Sequence, residues 1–283
     1  MITKNPMQLK AFIKRVAAEK HISAQLVMQN YMLERLLERI ALSKYKRNFI
    51  LKGGFLISAI VGLDSRATMD LDTTVKGFDL THEALLSIFS EICQVPVEDN
   101  ISFEIVGTVD IREGDDYPGI RVNMKANYLP VSVPLTVDVT TGDKITPCEV
   151  EYTFSPLFDE KSISVMAYPI ETVLAEKLET ILSRSIANTR PRDFYDVYIL
   201  WRLRGPQCDT ATLRTALEAT SEKRGSRAQI ADHPAILSRI LLAEQMHDFW
   251  YRYRKDFSYA SSISFEDTVA AAQEVLDTIN WGP

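Results

Sequence analysis

The sequence predicts an α+β fold in which a mixed sheet is followed by a helical carboxyl-terminal region. The order of apolar patterns supports this class, because helical patterns come first, mixed helix and strand patterns follow, and helical patterns alone fill the last part. The regular strand–helix alternation of a doubly wound fold is absent from the pattern. With 283 residues and 46% apolar content, the chain can form one large domain or two small ones. We place a boundary near residue 166, which divides the chain into 1–165 and 166–283.

The individual elements follow from the spacing of apolar residues. Helical spacing over 7–46, with a break at His21–Ser23, predicts two amino-terminal helices, and Ser23 can cap the second. Short apolar or alternating runs bounded by turn residues predict strands at Phe49–Leu51, Thr68–Val75, Phe103–Ile111, Ile120–Tyr128 and Leu135–Val139. Further helices are predicted at Phe55–Val61, 81–93, 170–184, 193–204, 209–222, 234–255 and 265–280.

Composition argues against several classes of protein. The chain has 32 basic and 38 acidic residues, so its net charge of −6 argues against a generally basic nucleic-acid binder. Its three cysteines and four histidines show no zinc-site or disulfide spacing. The longest apolar stretch, Gly53–Leu63, is too short to span a bilayer, and the amino terminus has no apolar signal core. We expect a cytoplasmic monomer with no membrane partner.

A glycine pair followed by paired aspartates is the most informative pattern. Gly53 and Gly54 precede a predicted helix, where backbone N–H groups can approach a phosphate. Sixteen residues after Gly54, Asp70 and Asp72 project from one face of a predicted strand, and paired carboxylates suit Mg²⁺ or Mn²⁺. A glycine pair alone is usually a turn, and an Asp-x-Asp alone usually lies on a solvated strand edge. Together they fit nucleoside triphosphate chemistry, in which one element holds the phosphates and the other holds their metal.

A third carboxylate would complete a two-metal site, and Asp138 is the candidate. It lies in the otherwise apolar or β-branched run Pro134–Val139, where a buried carboxylate needs a cation or a hydrogen-bond partner. Strand alternation places it on the face of Thr136, opposite its apolar neighbours. The alternative is an outward-facing strand residue. Asp143, in the following turn, is a weaker candidate.

A second constellation lies in the helical region. Lys177 is near the middle of a predicted amphipathic helix, and Asp193 and Asp196 are one turn apart at the start of the next helix. A Lys–Asp pair between these helices could hold the ammonium toward a triphosphate. The alternatives are a surface lysine beside Glu176 and Glu179, and simple helix capping by Asp193.

Four short motifs follow one another along the chain, namely Leu51–Gly54, Ser65–Asp72, Ala175–Lys177 and Arg192–Asp196. In this order they resemble the AbiEii/AbiGii toxin family, over about residues 48–201. These are nucleotidyltransferase-like toxins of bacterial type IV toxin–antitoxin and abortive phage-infection systems. The resemblance implies a polymerase β-type nucleotidyltransferase domain, followed by a helical carboxyl-terminal domain.

The resemblance, with the strand position of Asp138, also assigns roles to individual residues. The expected catalytic residues are Asp70, Asp72, Asp138, Lys177 and Asp196, with Asp70 and Asp72 as metal ligands. The expected nucleotide-binding residues are Lys52, Gly53, Gly54, Arg66 and Thr68. One departure concerns Gly54, since the wider superfamily usually has serine there. The missing hydroxyl leaves the backbone N–H as the phosphate contact at that position.

Relatives in this family add nucleotides to the 3′ acceptor end of tRNA and so block translation. The resemblance therefore implies a toxin that uses an NTP with Mg²⁺ or Mn²⁺, with tRNA as its acceptor and phage defence as its setting. It also implies a cognate antitoxin encoded nearby, of a kind that often acts without a tight complex. Asp138 would help to deprotonate or orient the attacking hydroxyl, and Lys177 would neutralise charge on the triphosphate.

Three further hypotheses remain open from the sequence. Asp70–Thr74 also fits the DxDxT motif of haloacid dehalogenase phosphatases, with Gly114–Asp116 as the late acidic motif, although no continuous apolar strand precedes Asp70. The chain would otherwise be a nucleotide-sensing or interaction module that kept the fold and lost catalysis. Finally, phosphorylation of Ser65 or Thr68 would add negative charge beside the metal pair and so close the site.

Charge is distributed unevenly along the chain. Residues 1–47 carry ten basic and three acidic residues, 48–165 carry eight and nineteen, and 184–227 carry nine and five. Two basic segments beside an acidic metal site would suit an RNA backbone, although ordinary solvated helix surface explains them equally well. The candidate RNA-binding residues are Arg190, Arg192 and Arg204.

Overall fold

The computed structural model describes residues 5–66, 68–111, 119–158 and 161–281. The chain divides into two compact units, Met1–Asp143 with Val150–Ala167, and Lys144–Glu149 with Tyr168–Pro283. None of the helices in the described ranges has both the length and the apolar character needed to cross a membrane.

The first unit is built on a mixed sheet. In the described residues its strands are β1 (Phe49–Lys52), β2 (Leu71–Val75), β3 (Ser102–Ile111), β4 (Gly119–Tyr128), β5 (Val131–Thr141), β6 (Val150–Phe154) and β7 (Ile163–Ala167). Their order across the sheet is β3-β4-β5-β2-β1-β7-β6. The β2–β5 and β1–β7 pairs are parallel and the other neighbouring strands are antiparallel. The predicted α+β class with a mixed sheet is therefore confirmed.

Helices alternate with these strands at first and then replace them. The described helices of the first unit are α1 (Pro6–Glu19), α2 (Ala24–Leu42), α3 (Gly53–Val61) and α4 (His82–Cys93). Those of the second unit are α5 (Ile170–Arg184), α6 (Pro191–Arg204), α7 (Thr210–Lys223), α8 (Arg227–Ala231), α9 (His233–Leu242), α10 (Glu244–Asp256) and α11 (Phe265–Thr278). Ser23 caps α2 as predicted, since its side chain accepts the Leu26 N–H.

Burial in the centre of the sheet follows the sequence pattern. All four residues of β1 are buried, because an interior strand is covered on both faces. In β5 the apolar residues Val133, Leu135, Val137 and Val139 are buried. Asp138 lies between two of them in sequence and so projects from the opposite face of the sheet.

Buried charged groups on α2 have partners in distant loops. Arg39 donates to both carboxylate oxygens of Asp99 at 2.8 Å, and both side chains are buried. Both carboxylate oxygens of Glu34 accept the Leu157 N–H, at 3.2 and 3.0 Å. These contacts fix α2 to its surroundings, because separating a buried charge from its partner would leave it unsolvated.

The structure differs from the predicted elements in several places. The sequence pattern does not predict β6 and β7, because five residues of alternation are too few to distinguish from a loop. The strand expected from Thr68 begins at Leu71. The single helix expected over 234–255 is two helices, separated at Ala243, whose extended backbone ends one helix and precedes the next. No glycine or proline marks this break.

The segment Lys144–Glu149 belongs to the second unit, whereas a single boundary near residue 166 would place it in the first. Thr146 and Thr172 exchange two hydrogen bonds that account for this. The Thr146 N–H donates to the Thr172 hydroxyl at 3.0 Å, and that hydroxyl donates to the Thr146 carbonyl at 3.1 Å. A pairing between residues so far apart in sequence is not visible in local composition.

Candidate active site

Charged residues occupy one row of registered positions across four strands of the sheet. Strand pairing sets Lys52 opposite Asp72 and Asp72 opposite Asp138. It also sets Asp138 opposite Arg121. Because cross-strand partners project from the same face, the row reads positive, negative, negative, positive. Two of the four predicted catalytic carboxylates, Asp72 and Asp138, are therefore direct neighbours on adjacent strands.

Gly53 joins β1 to α3, and its backbone conformation leaves no room for a side chain. Its φ is +64°, a left-handed value that favours glycine. A Cβ at this position would lie 2.0 Å from Oδ2 of Asp72. The next residue, Gly54, donates its N–H to the same oxygen at 3.3 Å. The glycine pair therefore allows the start of α3 to approach the Asp72 carboxylate.

Gly54 is packed against two of the predicted nucleotide-binding residues. A Cβ at Gly54 would lie 2.8 Å from the Thr68 hydroxyl oxygen and 3.3 Å from Nη2 of Arg66. Arg66 is buried, and the Thr68 hydroxyl lies 3.5 Å from the Asp70 carbonyl. The serine of the wider superfamily would not fit here unless Thr68 moved. The departure at Gly54 thus has a steric cause in this chain.

Asp70 directly precedes β2, and a residue of α2 holds the backbone beside it. The side-chain amide of Gln29 donates to the Met69 carbonyl at 3.1 Å and to the Pro134 carbonyl at 2.9 Å. This buried amide links the start of β2 to β5 and so fixes the position of the carboxylate pair. Sequence reasoning missed Gln29, because a glutamine within an amphipathic helix carries no distinguishing signal.

Asp138, the predicted third carboxylate, is bound by an arginine that the sequence did not single out. Arg121 Nε donates to Oδ1 of Asp138 at 2.7 Å and Nη2 donates to Oδ2 at 2.9 Å. These hydrogen bonds raise the pKa of Arg121, and the nearby carboxylates of Asp70 and Asp72 raise it further. In the described ranges, no three acidic, histidine or cysteine side chains come together as a metal-binding group. Asp138 therefore lies in an ion pair with Arg121, and its role as the third carboxylate of a two-metal site stays a prediction.

Lys52, an expected nucleotide-binding residue, forms an ion pair. Its ammonium is buried and donates to Oδ2 of Asp143 at 2.5 Å and to the Thr140 hydroxyl at 2.7 Å. The side chain is thereby held in an ion pair within the sheet unit, so this geometry does not support the expected phosphate contact. Asp143, the weaker candidate for a third carboxylate, is the partner in that pair.

Lys177, Asp193 and Asp196 come together in the second unit. The Lys177 ammonium lies 2.7 Å from Oδ1 of Asp193 and 2.8 Å from Oδ2 of Asp196. Both aspartates are fully buried, and the lysine side chain is 13% exposed. Burial alone would lower the pKa of Lys177, but the two carboxylates outweigh burial and raise the pKa above 10.5. The predicted Lys–Asp contact between α5 and α6 is therefore present, and it includes both aspartates.

The three candidate RNA-binding arginines lie on α6 or at its start. Arg190 precedes the helix and its Nε lies 3.2 Å from Oδ2 of Asp193. Arg192 is exposed in the first turn. Arg204 ends the helix and donates to the Gln207 side chain at 3.4 Å. Part of this positive charge is therefore already used by a buried aspartate.

Solved structures with a similar fold are known. The chain is similar to a candidate nucleotidyltransferase from Helicobacter pylori, with a TM-score of 0.52, 13% identity, and coverage of 92% of this chain and 98% of that one. It is also similar to JHP933 from Helicobacter pylori, with a TM-score of 0.51, 13% identity, and coverage of 91% and 94%. At such identity these likenesses establish the fold alone. No curated protein shows significant sequence similarity to the chain.

A family model matches most of the chain. The model of the nucleotidyl transferase AbiEii toxin, of type IV toxin–antitoxin systems, matches residues 35–273. The chain belongs to this family and is a nucleotidyltransferase toxin. The resemblance drawn from the four motifs is thus confirmed. The DxDxT phosphatase alternative is set aside, and its late motif Gly114–Asp116 lies outside the described residues.

Replacement of Gly53 by alanine is expected to destabilise the protein through two separable effects. A left-handed backbone costs a residue with a Cβ about 1–2 kcal/mol. At Gly53 the Cβ also collides with Asp72, and overpacking adds roughly 1–3 kcal/mol. Chemical denaturation measures the sum.

Two glycines serve as matched controls for this prediction. Gly225 has φ +65° and open space around its Cβ position, so Gly225→Ala reports the backbone cost alone. Gly107 also has open space and no left-handed φ, so Gly107→Ala is expected to have neither effect. Equal losses of stability for Gly53→Ala and Gly225→Ala would contradict the contact with Asp72.

Lys177→Met is expected to lower the free energy of unfolding by about 3–5 kcal/mol, because it leaves two buried carboxylates without their cation. The raised pKa of Lys177 sets the pH dependence. Because the pKa of Lys177 is higher in the folded than in the unfolded protein, its ammonium contributes its full stabilisation below the unfolded pKa near 10.5. This stabilisation is lost as pH rises through the folded pKa. The gap between wild type and variant should therefore be constant around neutral pH and close only in strong alkali. Lys255→Met, on the exposed surface of α10, is the matched control. If the difference in free energy of unfolding between wild type and Lys177→Met disappeared at a pH well below 10.5, the raised pKa of Lys177 would be contradicted.

Proposed function

We propose that the chain transfers a nucleoside monophosphate from an NTP to the 3′ end of tRNA, with Asp70 and Asp72 as ligands of Mg²⁺ or Mn²⁺. The observation that carries this proposal is the contact between the Asp72 carboxylate and the glycine-led start of α3. This contact supports the proposal because it sets one carboxylate of the proposed metal pair beside a helix start, where backbone N–H groups can bind an anion. Nucleotidyl transfer needs both.

The residues present fit a divalent cation. Asp70 and Asp72 supply only oxygen donors, which is the ligand chemistry that Mg²⁺ and Mn²⁺ prefer. Both residues are half-buried, so their charges are less screened than those of surface carboxylates. When bound, the cation would supply positive charge for the phosphates of the nucleotide. A reliance on this cation is part of the proposal.

The start of α3 and the residues packed on it are the proposed phosphate-binding element. Backbone N–H groups at a helix amino terminus attract anions, and here the Gly54 N–H donates to the Asp72 carboxylate. Arg66 and Thr68 pack against Gly54 and would add a guanidinium and a hydroxyl to the same element. Lys52, bound to Asp143, would position the β1–α3 turn rather than contact phosphate.

The proposed reaction is an in-line displacement at the α-phosphorus. A terminal ribose hydroxyl of the acceptor forms the new oxygen–phosphorus bond, the bond to pyrophosphate breaks, and the hydroxyl proton passes to water. Asp138 is held by Arg121 and would orient the attacking hydroxyl by accepting its hydrogen bond. Lys177 and Asp196 belong to the second unit, where they form an ion pair, and their proposed catalytic roles rest on the family motifs alone.

The acceptor, partner and setting of the toxin are also proposed from the family. A tRNA acceptor would explain why basic residues occur in the segments on either side of the acidic one. A cognate antitoxin encoded nearby would restrain the toxin without a stable complex. The setting would be the cytoplasm, in defence against phage.

Asp70→Asn is expected to reduce nucleotide transfer by about 10²–10³-fold, because it removes charge from the proposed metal pair. The assay mixes the protein with Mg²⁺, total tRNA and each labelled triphosphate in turn, and follows label in RNA. Asp79→Asn makes the same chemical change on the exposed surface and should leave transfer unchanged. Full activity in Asp70→Asn would overturn the assignment of the site. Absence of label with every triphosphate would overturn the acceptor.

Joint replacement of Arg190, Arg192 and Arg204 by alanine is expected to weaken tRNA binding and to flatten its dependence on salt. Each lost phosphate contact lowers the slope of log K against log salt by about 0.7–0.9. Arg192→Ala alone avoids disturbing Asp193 and should account for about one contact. Arg239→Gln, in an exposed ion pair with Asp232, is the control. An unchanged slope in the triple variant would refute an RNA-binding role for α6.

A further inference from the structure

Arg121 is a basic residue whose side chain binds Asp138 within the carboxylate row. It donates hydrogen bonds to both carboxylate oxygens of Asp138, at 2.7 and 2.9 Å. The carboxylates of Asp70 and Asp72 lie near enough to attract the same guanidinium. Its side chain is 40% exposed, whereas that of Asp138 is 17% exposed. A group on this face can therefore be reached by solutes from water.

Stability alone is a weak reason for this arrangement. A partly exposed ion pair contributes little to the free energy of folding. In contrast, adjacent carboxylates on neighbouring strands repel one another unless a cation lies among them. The bidentate geometry also uses both oxygens of Asp138, which reduces its capacity to serve as a metal ligand.

We propose that Arg121 is the internal counter-cation of the aspartate row: it holds Asp138 away from metal ligation and competes with a divalent cation for the carboxylate charge, and thereby sets the metal affinity of the site. This inference rests on the proposed metal pair Asp70 and Asp72. Arg121 is a positioning residue in this account, since it acts through Asp138.

Competition with a cation has a measurable consequence in the absence of any nucleotide. Removing the guanidinium takes away a positive charge and releases a third carboxylate. Arg121→Gln should therefore bind Mn²⁺ about tenfold more tightly than wild type, which corresponds to about 1.4 kcal/mol. Arg121→Lys keeps the charge but loses the two-point contact, so it should bind Mn²⁺ with intermediate affinity.

The experiment measures Mn²⁺ affinity by calorimetry or electron paramagnetic resonance on the full chain. Arg15→Gln removes the same charge from an exposed ion pair with Glu19 and should leave Mn²⁺ affinity unchanged. Asp70→Asn should abolish the tight site. If Asp70→Asn abolishes binding but Arg121→Gln binds Mn²⁺ as wild type does, the inference fails and the metal pair stands. If wild type binds no Mn²⁺, or Asp70→Asn binds it equally, the metal proposal falls and the inference falls with it.

A second measurement needs no stable Arg121→Gln variant. The Nε–H resonance of Arg121 in wild-type protein, assigned by its loss in Arg121→Lys, reports the ion pair with Asp138. Added Mg²⁺ should shift this resonance as the cation competes for the row. A resonance that stays unchanged at saturating Mg²⁺ would overturn the inference.

Weaker NTP binding by Arg121→Gln at unchanged Mn²⁺ affinity would also overturn the inference, and would indicate a phosphate contact instead.

Discussion

Repulsion between Asp72 and Asp138 is the constraint on which the site depends. Parallel pairing of β2 with β5 makes these residues direct neighbours, and the sheet cannot separate them without losing its register. Each carboxylate is therefore compensated from its own side. Arg121 donates two hydrogen bonds to Asp138, and the Gly54 N–H at the start of α3 donates one to Asp72. The glycine pair follows from this, since any Cβ at Gly53 would occupy the place of the Asp72 carboxylate.

Buried polar contacts in the first unit keep the strands in place around this row. Gln29 joins the approach to β2 with β5, and the Lys52–Asp143 ion pair joins β1 with the end of β5. Such buried groups are costly to desolvate, and replacing them by apolar residues is often neutral for stability. Their benefit here is geometric: they hold β1, β2 and β5 in one register, which decides where the carboxylates lie.

The sequence predicted the parts of the site that depend on local pattern, and missed those that depend on strand pairing. The two-residue period of a strand is enough to predict the pairing of Asp70 with Asp72 and the orientation of Asp138. The order of strand and helix periods along the chain is enough to predict a mixed sheet followed by a helical region. Arg121 could not be found in this way, because its partner is set by the register of β4 with β5. Lys177 differs, since its contact with the aspartates of α6 was predicted, and its acidic neighbours Glu176 and Glu179 bind Arg224 instead.

The ion pairs also change what the charge of each segment means. Within residues 1–47, the basic residues with acidic partners are Arg15, Lys20, Arg35, Arg39, Lys44 and Lys46. Much of that positive charge is paired with carboxylates of the same chain, so the segment would attract RNA less strongly than its composition implies. The negative charge of the acidic segment is reduced in the same way, because Asp99, Asp138 and Asp143 each pair with a basic side chain. Attraction of an RNA backbone would therefore depend on a few exposed residues such as Arg192, rather than on the segment averages.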